Sequence, residues 1–546
     1  GKKAMNMSDF FAAHSFFDHG ISYLRLQRGH WNEHYDLSLE LFNLAARCAL
    51  TNAEHDIVKM LIDQIMHNTN CFEDNFQAIS VKGSLLSSSG NVPAAVELVK
   101  TTLSNLDEGL PSAITPTVIK RYLDNTKTYL ANLSDESLLS YKAMINPSKI
   151  FTVELLFKMY GYLTLIDKRA ALPIIPLKVI QLSLTYGMSP HSPSAFAQYG
   201  NYLALIEDKF EEGYRYVKLA LSLMKKTASR AHDGSTIFWS THTRLHVEPM
   251  QSSIECYFDA FKAHMKSGNT YSNAVWCSSV YNMCCLWSGK ELNAVFVSMK
   301  DTMKELKYHK NFVVLTLMKP TFRVALRLIG QSDAPAPQQE NLTNAFGEAF
   351  NEGGNAGKYA TLFHTMYFAK LCEALMFREL NEAGDAAEKY FSVDRFVALS
   401  PVMFFGKFYS GLVSFWIARE TNDRKESTKW IRRGVECKDK IEKLSDLAST
   451  WNFQNKLYLL QAEEQFCSRN FGMAETLYDA AILSSKMHKF VNEEALANEL
   501  AGHFYLATGR RNKSVHYFSR AFDKYNEWGA VAKASALTEY LDESER

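Results

Sequence analysis

The sequence is short of the residues that break helices. It holds 13 prolines and 26 glycines in 546 residues, roughly 2% and 5% of the chain against average usages of about 5% and 7%. That scarcity argues against a collagenous or low-complexity chain and leaves long helices unobstructed. An excess of one charge is missing too. Sixty Lys and Arg face 59 Asp and Glu, with no long single-sign block, so nothing calls for nucleic acid or an anionic membrane as partner. The nine cysteines form no C-x-x-C pair, and Cys284 and Cys285 are adjacent. This speaks against a disulfide scaffold and makes a reducing, cytoplasmic compartment the expectation.

A membrane-length apolar run is also absent. The best stretch, Pro401 to Ala418, contains Lys407 and is interrupted by Gly406 and Gly411. Since a span needs about 20 apolar residues, this stretch reads as a buried helix. The opening GKKAMNMSDFF has neither an apolar core nor a cleavage site, so no secretion signal is read there. Its first residue is Gly rather than Met, which suggests a piece of a longer chain. No stretch alternates apolar and polar residues between turn signals, so no strand is predicted.

Catalytic motifs are missing as well. A phosphate-binding loop needs backbone amides, a lysine and a metal-binding hydroxyl at fixed spacing. Gly357-Lys358 comes nearest, but Glu352 replaces the first glycine and Tyr359 the hydroxyl; Gly289-Lys290 is followed by Glu291. There is no H-R-D…D-F-G set, no H-E-x-x-H and no paired C-x-x-C. His232, His242 and His246 supply one i,i+4 pair without a third ligand in reach by sequence, and His30 and His34 sit beside Trp31 and Tyr35. The first three read as ordinary helix or loop histidines, and His30 and His34 as packing and capping residues. The 69 aromatics lie among Leu and Ala at helical spacing rather than between basic residues, as core residues do. The sequence therefore assigns no catalytic, cofactor-binding or metal residue, and leaves the partner-binding residues unknown.

What is present is helical periodicity. Asn492 to Ala532 reads as two antiparallel helices and the start of a third. Ala495, Leu496, Leu500, Phe504 and Leu506 form the first apolar stripe. Gly509 ends it, and Asn512 is the predicted N-cap of a second helix carrying Val515, Phe518, Ala521 and Phe522. Gly502, Ser514 and Ala521 are small where paired helices must touch, and Tyr505 and Phe518 fill the gap between them. Forty positions upstream, Ala474, Tyr478 and Ala481 match Ser514, Phe518 and Ala521. Such a hairpin cannot cover its own apolar face, so stacking on neighbours is the predicted solution.

The rhythm runs through the chain. Helices are predicted at Phe10 to Arg25, Trp31 to Leu50, His55 to His67 and Phe76 to Ser87, with a turn at Gly90-Asn91 and Pro93 in the first turn of the next. Breaks are predicted around Ser134-Asp135, at Asn146-Pro147, at Pro173 and Pro176, and in a loop from Ser189 to Pro193. A second clear hairpin has Gly200, Ala204, Gly213 and Ala220 as its small residues. After a polar break from Ser229 to Ser235 come turns at Gly268-Asn269 and Gly289, then two loops, 330–341 and the glycine-rich 351–357. The prediction is an all-α protein, an α-solenoid of stacked antiparallel TPR-like hairpins bent at those loops. Its divisions fall at 1–111, 112–228, 229–341 and 342–546, read as one continuous solenoid.

Five segments carry a resemblance: Trp31 to Leu50, Gly90 to Pro111, Leu182 to Leu223, Ala383 to Tyr390, and Val491 to Lys533. The third and fifth match in their Gly, Tyr and Trp positions. On these the chain resembles the tetratricopeptide-like helical region of very large signalling proteins. Those combine a serine/threonine kinase-like domain, an AAA-type (STAND-like) ATPase, a GAF or PAS sensor and a hybrid histidine kinase. The resemblance implies a non-catalytic scaffold and sensor/transmission arm, in a two-component setting, that binds an inducer or protein partner and couples flanking domains. ATP is then expected only in those flanking domains. The alternative is a free-standing TPR-type adaptor for protein–protein assembly.

Overall fold

The C-terminal hairpin shows why this sequence folds as it does. Val491–Ala507 and Arg511–Trp528 are joined by three residues, and so short a connection makes them antiparallel. Gly509, at φ +73°, sits in the left-handed region that a residue without Cβ enters freely. Arg510 then donates its backbone N–H to the Tyr505 carbonyl at 2.9 Å, a Schellman closure that satisfies a helix-end acceptor. The same closure recurs with Ala53, Gly90, Arg378, Arg469 and Lys489 at its left-handed position. In each case the following residue donates at 2.9 Å to a carbonyl five positions back, and the next helix starts at once. Only Gly90 and Gly509 are glycines.

The computed structural model describes residues 1–27, 29–166, 171–227, 230–268, 273–308, 312–331, 360–394 and 403–542. Among them the chain is all-α; the one β-type pairing is an isolated bridge between Ala143 and Met188. Both loops at which a bend was predicted, apart from Gly330 and Gln331, lie outside the described residues. No helix among the described residues is long and apolar enough to cross a membrane. The apolar stretch ending at Ala418 is a buried helix, Met403–Glu420.

Small residues set the spacing inside the hairpins. A Cβ on Gly502 would stand 2.8 Å from two ring carbons of Phe518, and the Ser514 hydroxyl donates to the Gly502 carbonyl at 2.8 Å. Ser192–Leu205 and Phe210–Lys226 approach even closer. A Cβ on Gly200 would be 2.5 Å from the Gly213 carbonyl oxygen, and one on Gly213 equally close to that of Gly200.

Several local predictions are corrected. Trp31 to Leu50 is two helices, His30–Glu33 and Tyr35–Thr51, because His34 leaves helical geometry at φ −131°. His34 sits at the N-cap of the second but makes no side-chain cap bond. Pro176 lies within the first turn of Ile174–Tyr186, where its missing N–H costs nothing. The predicted loop reaching Pro193 is overtaken by a helix starting at Ser192. Asp233–Val247 likewise begins inside the predicted polar break. The last hairpin's second helix starts at Arg511, with Arg510 rather than Asn512 at its cap, and Leu506 is 39% exposed rather than part of the buried stripe.

Distant parts of the chain also meet. Asn452, fully buried, accepts from the Met250 N–H at 2.9 Å and donates to the carbonyls of Leu245, His246 and Glu248 at 3.2, 3.3 and 2.7 Å. Forty positions on, the equally buried Asn492 donates to the Trp287 carbonyl at 3.1 Å, and the Trp528 indole donates to that of Lys290 at 2.9 Å. At the other end, Ser8 and Thr51 donate to the carbonyls of Lys266 and Gly268. The apolar core falls into three clusters in chain order, from Ala13 to Leu85, from Ile79 to Leu223 and from Phe238 to Leu537.

Candidate functional site

Where those three clusters meet, the helices line a partly open cavity of about 740 Å³, within the range of roughly 300–1,000 Å³ that suits a small organic ligand. Its walls come from positions as far apart as Met5 and Thr365. One wall is built from two i,i+4 pairs, which a helix presents on a single face. Ser80 and Ser84 lie on Phe76–Ser88, and Glu154 and Lys158 on Pro147–Leu165. The Ser80 hydroxyl donates to the Glu154 carboxylate. The Lys158 ammonium donates to the Ser84 hydroxyl at 2.7 Å and the Ser80 carbonyl at 3.2 Å. Arg47, on Tyr35–Thr51, also lines the cavity.

Histidines form the adjoining wall. The rings of His191 and His232 lie 3.8 Å apart, and that of Phe157 is 5.0 Å from His191. His264 packs against Gly234, where a Cβ would fall 2.6 Å from its Cδ2. His191 and His264 are 5% and 1% exposed, and the Nδ1 of each has no hydrogen-bond partner among the described residues. Burial favours the neutral imidazole. It lowers His232 to about 4, with Lys158 and Arg47 adding to the effect and Glu154 opposing it, and lowers His264 to about 3. His191 is held well below its ordinary value by burial, then by His232 and Lys158. Burial lowers Lys158 as well, opposed by Glu154. The remaining surface mixes apolar and aromatic side chains, including Trp239, Trp276, Met283, Met299 and Met318, with neutral polar ones such as Gln77, Asn273, Asn282 and Thr321.

The residues considered from sequence fall out as follows. His232 and His242 both line the cavity, whereas His246 is packed near Phe210, Phe404 and Phe453. His242 and His246 each place Nδ1 against a carbonyl four residues back, at 3.0 and 2.8 Å. Burial lowers them to about 3 and about 4. Among the described residues no three His, Cys, Asp or Glu are grouped to hold a metal. His30 contacts the Ser38 hydroxyl at 3.0 Å and stacks on Phe42. Lys290 is tied to Glu255 and Tyr281, and the Gly357-Lys358 motif lies outside the described residues.

Sequence reasoning missed Arg47, Glu154, Lys158, His191 and His264. The available signal was Glu154 and Lys158 four apart inside FTVELLFKMYGYL, two charges in an otherwise apolar helix. Ser84 and Lys158 sit mid-helix, where backbone N–H groups are already bonded to the preceding turn and leave no pair free to hold an oxyanion. In comparisons with known proteins, the chain matches no family model and no curated sequence.

Proposed function

We propose that this chain is an α-solenoid of TPR-like hairpins that senses a small ligand and transmits its binding to attached domains. This is the arm of a multidomain ATPase–histidine kinase that the sequence resemblance implies. The observation that carries the reading is the cavity's construction. Its walls are drawn from eleven of the described helices, spread between Lys2 and Met376, so one occupant touches hairpins that are remote in sequence. Binding free energy then acts on the packing between coils, which is what a transmission arm requires.

The test is made in the longer chain. Filling the cavity with Ser279→Trp should abolish the response of the attached kinase or ATPase activity to its inducer while leaving basal activity in place. An inducer response unchanged by the filling would overturn the reading. The adaptor alternative draws on Phe471–Met487, which leaves Phe471, Met473, Leu483 and Met487 40–63% exposed. Pull-down of a protein partner that is lost on Leu483→Asp, together with an unaffected cavity mutant, would favour it.

A further inference from the structure

The cavity's polar wall specifies what it can hold. Arg47 and Lys158 bring two cations and Glu154 one carboxylate, a surplus of one positive charge beside neutral imidazoles. The Arg47 guanidinium has no hydrogen-bond partner recorded among the described residues, and Lys158 spends two of its three N–H groups on neutral oxygens. Two buried imidazoles, His191 and His264, bring unpartnered Nδ1 atoms to the same wall. Away from this cluster Trp239, Trp276, Met283, Met299 and Met318 give the cavity an apolar patch, interspersed with neutral polar side chains such as Asn282 and Thr321. A group carrying a single negative charge and two acceptor oxygens would match the donors and neutralise the surplus, since a guanidinium fork meets a carboxylate bidentately. A dianion would leave its second charge facing Glu154 with no cation to pair it. A neutral ligand could accept from these donors but would leave the surplus positive charge unpaired.

Resting on the ligand-sensing reading above, we infer that the cavity binds a monocarboxylate with a bulky apolar body. Its carboxylate lies on Arg47 and Lys158, and its body lies against Trp239, Trp276 and the methionines. The probes are 1-naphthaleneacetate, its uncharged amide and 1,4-naphthalenedicarboxylate, titrated calorimetrically into the full 546-residue chain at pH 7. The acid should bind at least tenfold more tightly than the amide, and more tightly than the dicarboxylate. Arg47→Gln should erase the preference over the amide without lowering the melting temperature, because Arg47 is exposed to the cavity. Lys158→Gln should do the same, and its fold is checked by helical ellipticity. Glu154→Gln should narrow the gap between mono- and dicarboxylate. Equal affinity for acid and amide, or a preference that survives both cation substitutions, would overturn the ligand class while showing that the cavity is occupied. Binding of none of the three at millimolar concentration would also overturn it. The transmission reading is decided separately by the cavity-filled long chain, so the two failures are distinguishable.

Discussion

Lys456 is the most exacting test of how this core is held. Its ammonium is fully buried, donates to Glu493 at 2.8 Å and to the Asn452 carbonyl at 2.9 Å, and lies 4.0 Å from the centre of the Phe490 ring. The Phe405 and Phe408 rings lie at the outer limit of a cation–π contact, at 6.0 and 5.9 Å. Glu493, 1% exposed, is otherwise met by the Asn455 amide. Lys456→Met keeps the length and removes the charge, leaving a carboxylate among phenylalanines. Breaking a buried pair in this way costs about 3–5 kcal/mol.

The cost should depend on pH, with a definite sign. Burial already raises Glu493, against the opposing pull of Lys456; without the lysine it rises further above its unfolded value of about 4.3. The folded variant then holds a proton that the unfolded chain releases. Stability is fully present below the unfolded value and is lost as pH climbs toward the folded one, by up to about 1.4 kcal/mol per pH unit. Urea unfolding followed by far-UV circular dichroism at pH 5 and pH 8 measures this. Hydrogen exchange in Thr450–Cys467 and Val491–Ala507 localises it. The double variant Lys456→Met/Glu493→Met should recover most of the loss, since apolar replacement of both partners is often neutral or stabilising. A single-variant penalty below about 1 kcal/mol, or one equal at both pH values, would refute the reasoning.

Three shorter predictions follow from other features. Gly502→Leu must displace Phe518, whose ring already stands 2.8 Å from the Cβ position; the C-terminal hairpins should lose about 1–3 kcal/mol, seen as a lower melting temperature. Arg469→Gly, at φ +57°, relieves a left-handed backbone and should stabilise by about 1 kcal/mol; a drop in urea midpoint would contradict it. Because Gly357-Lys358 lacks the first glycine and the hydroxyl, the 546-residue chain should show no micromolar ATP binding by calorimetry. Binding that is lost on Lys358→Ala would reverse that conclusion.

Legibility in the sequence tracked how local each cause is. Phe10–Arg25 coincides with its predicted bounds because its apolar face recurs at the helical period. Gly90 and Gly509 announced their turns through composition. Ala53, Arg378, Arg469 and Lys489 adopt the same geometry without any residue signal, each closed by the backbone hydrogen bond of the residue that follows it. Asn512 misled because a capping residue type was present one position inside the helix. The cavity was invisible for a different reason. Arg47 and His264 stand 217 positions apart, and no periodicity relates them; only the packing of sequence-distant helices puts them on one surface.

That packing bears on how the chain is made. The backbone groups that end Asp233–Val247 are satisfied by Asn452, about 200 residues later. At about 5–20 residues per second on the ribosome, the nascent chain waits roughly 10–40 s before that amide exists. During the wait, the exposed helix ends and the apolar faces beside them are open to other chains. A synonymous slowing of translation between positions 290 and 450 should therefore raise aggregation without altering a single residue of the finished protein.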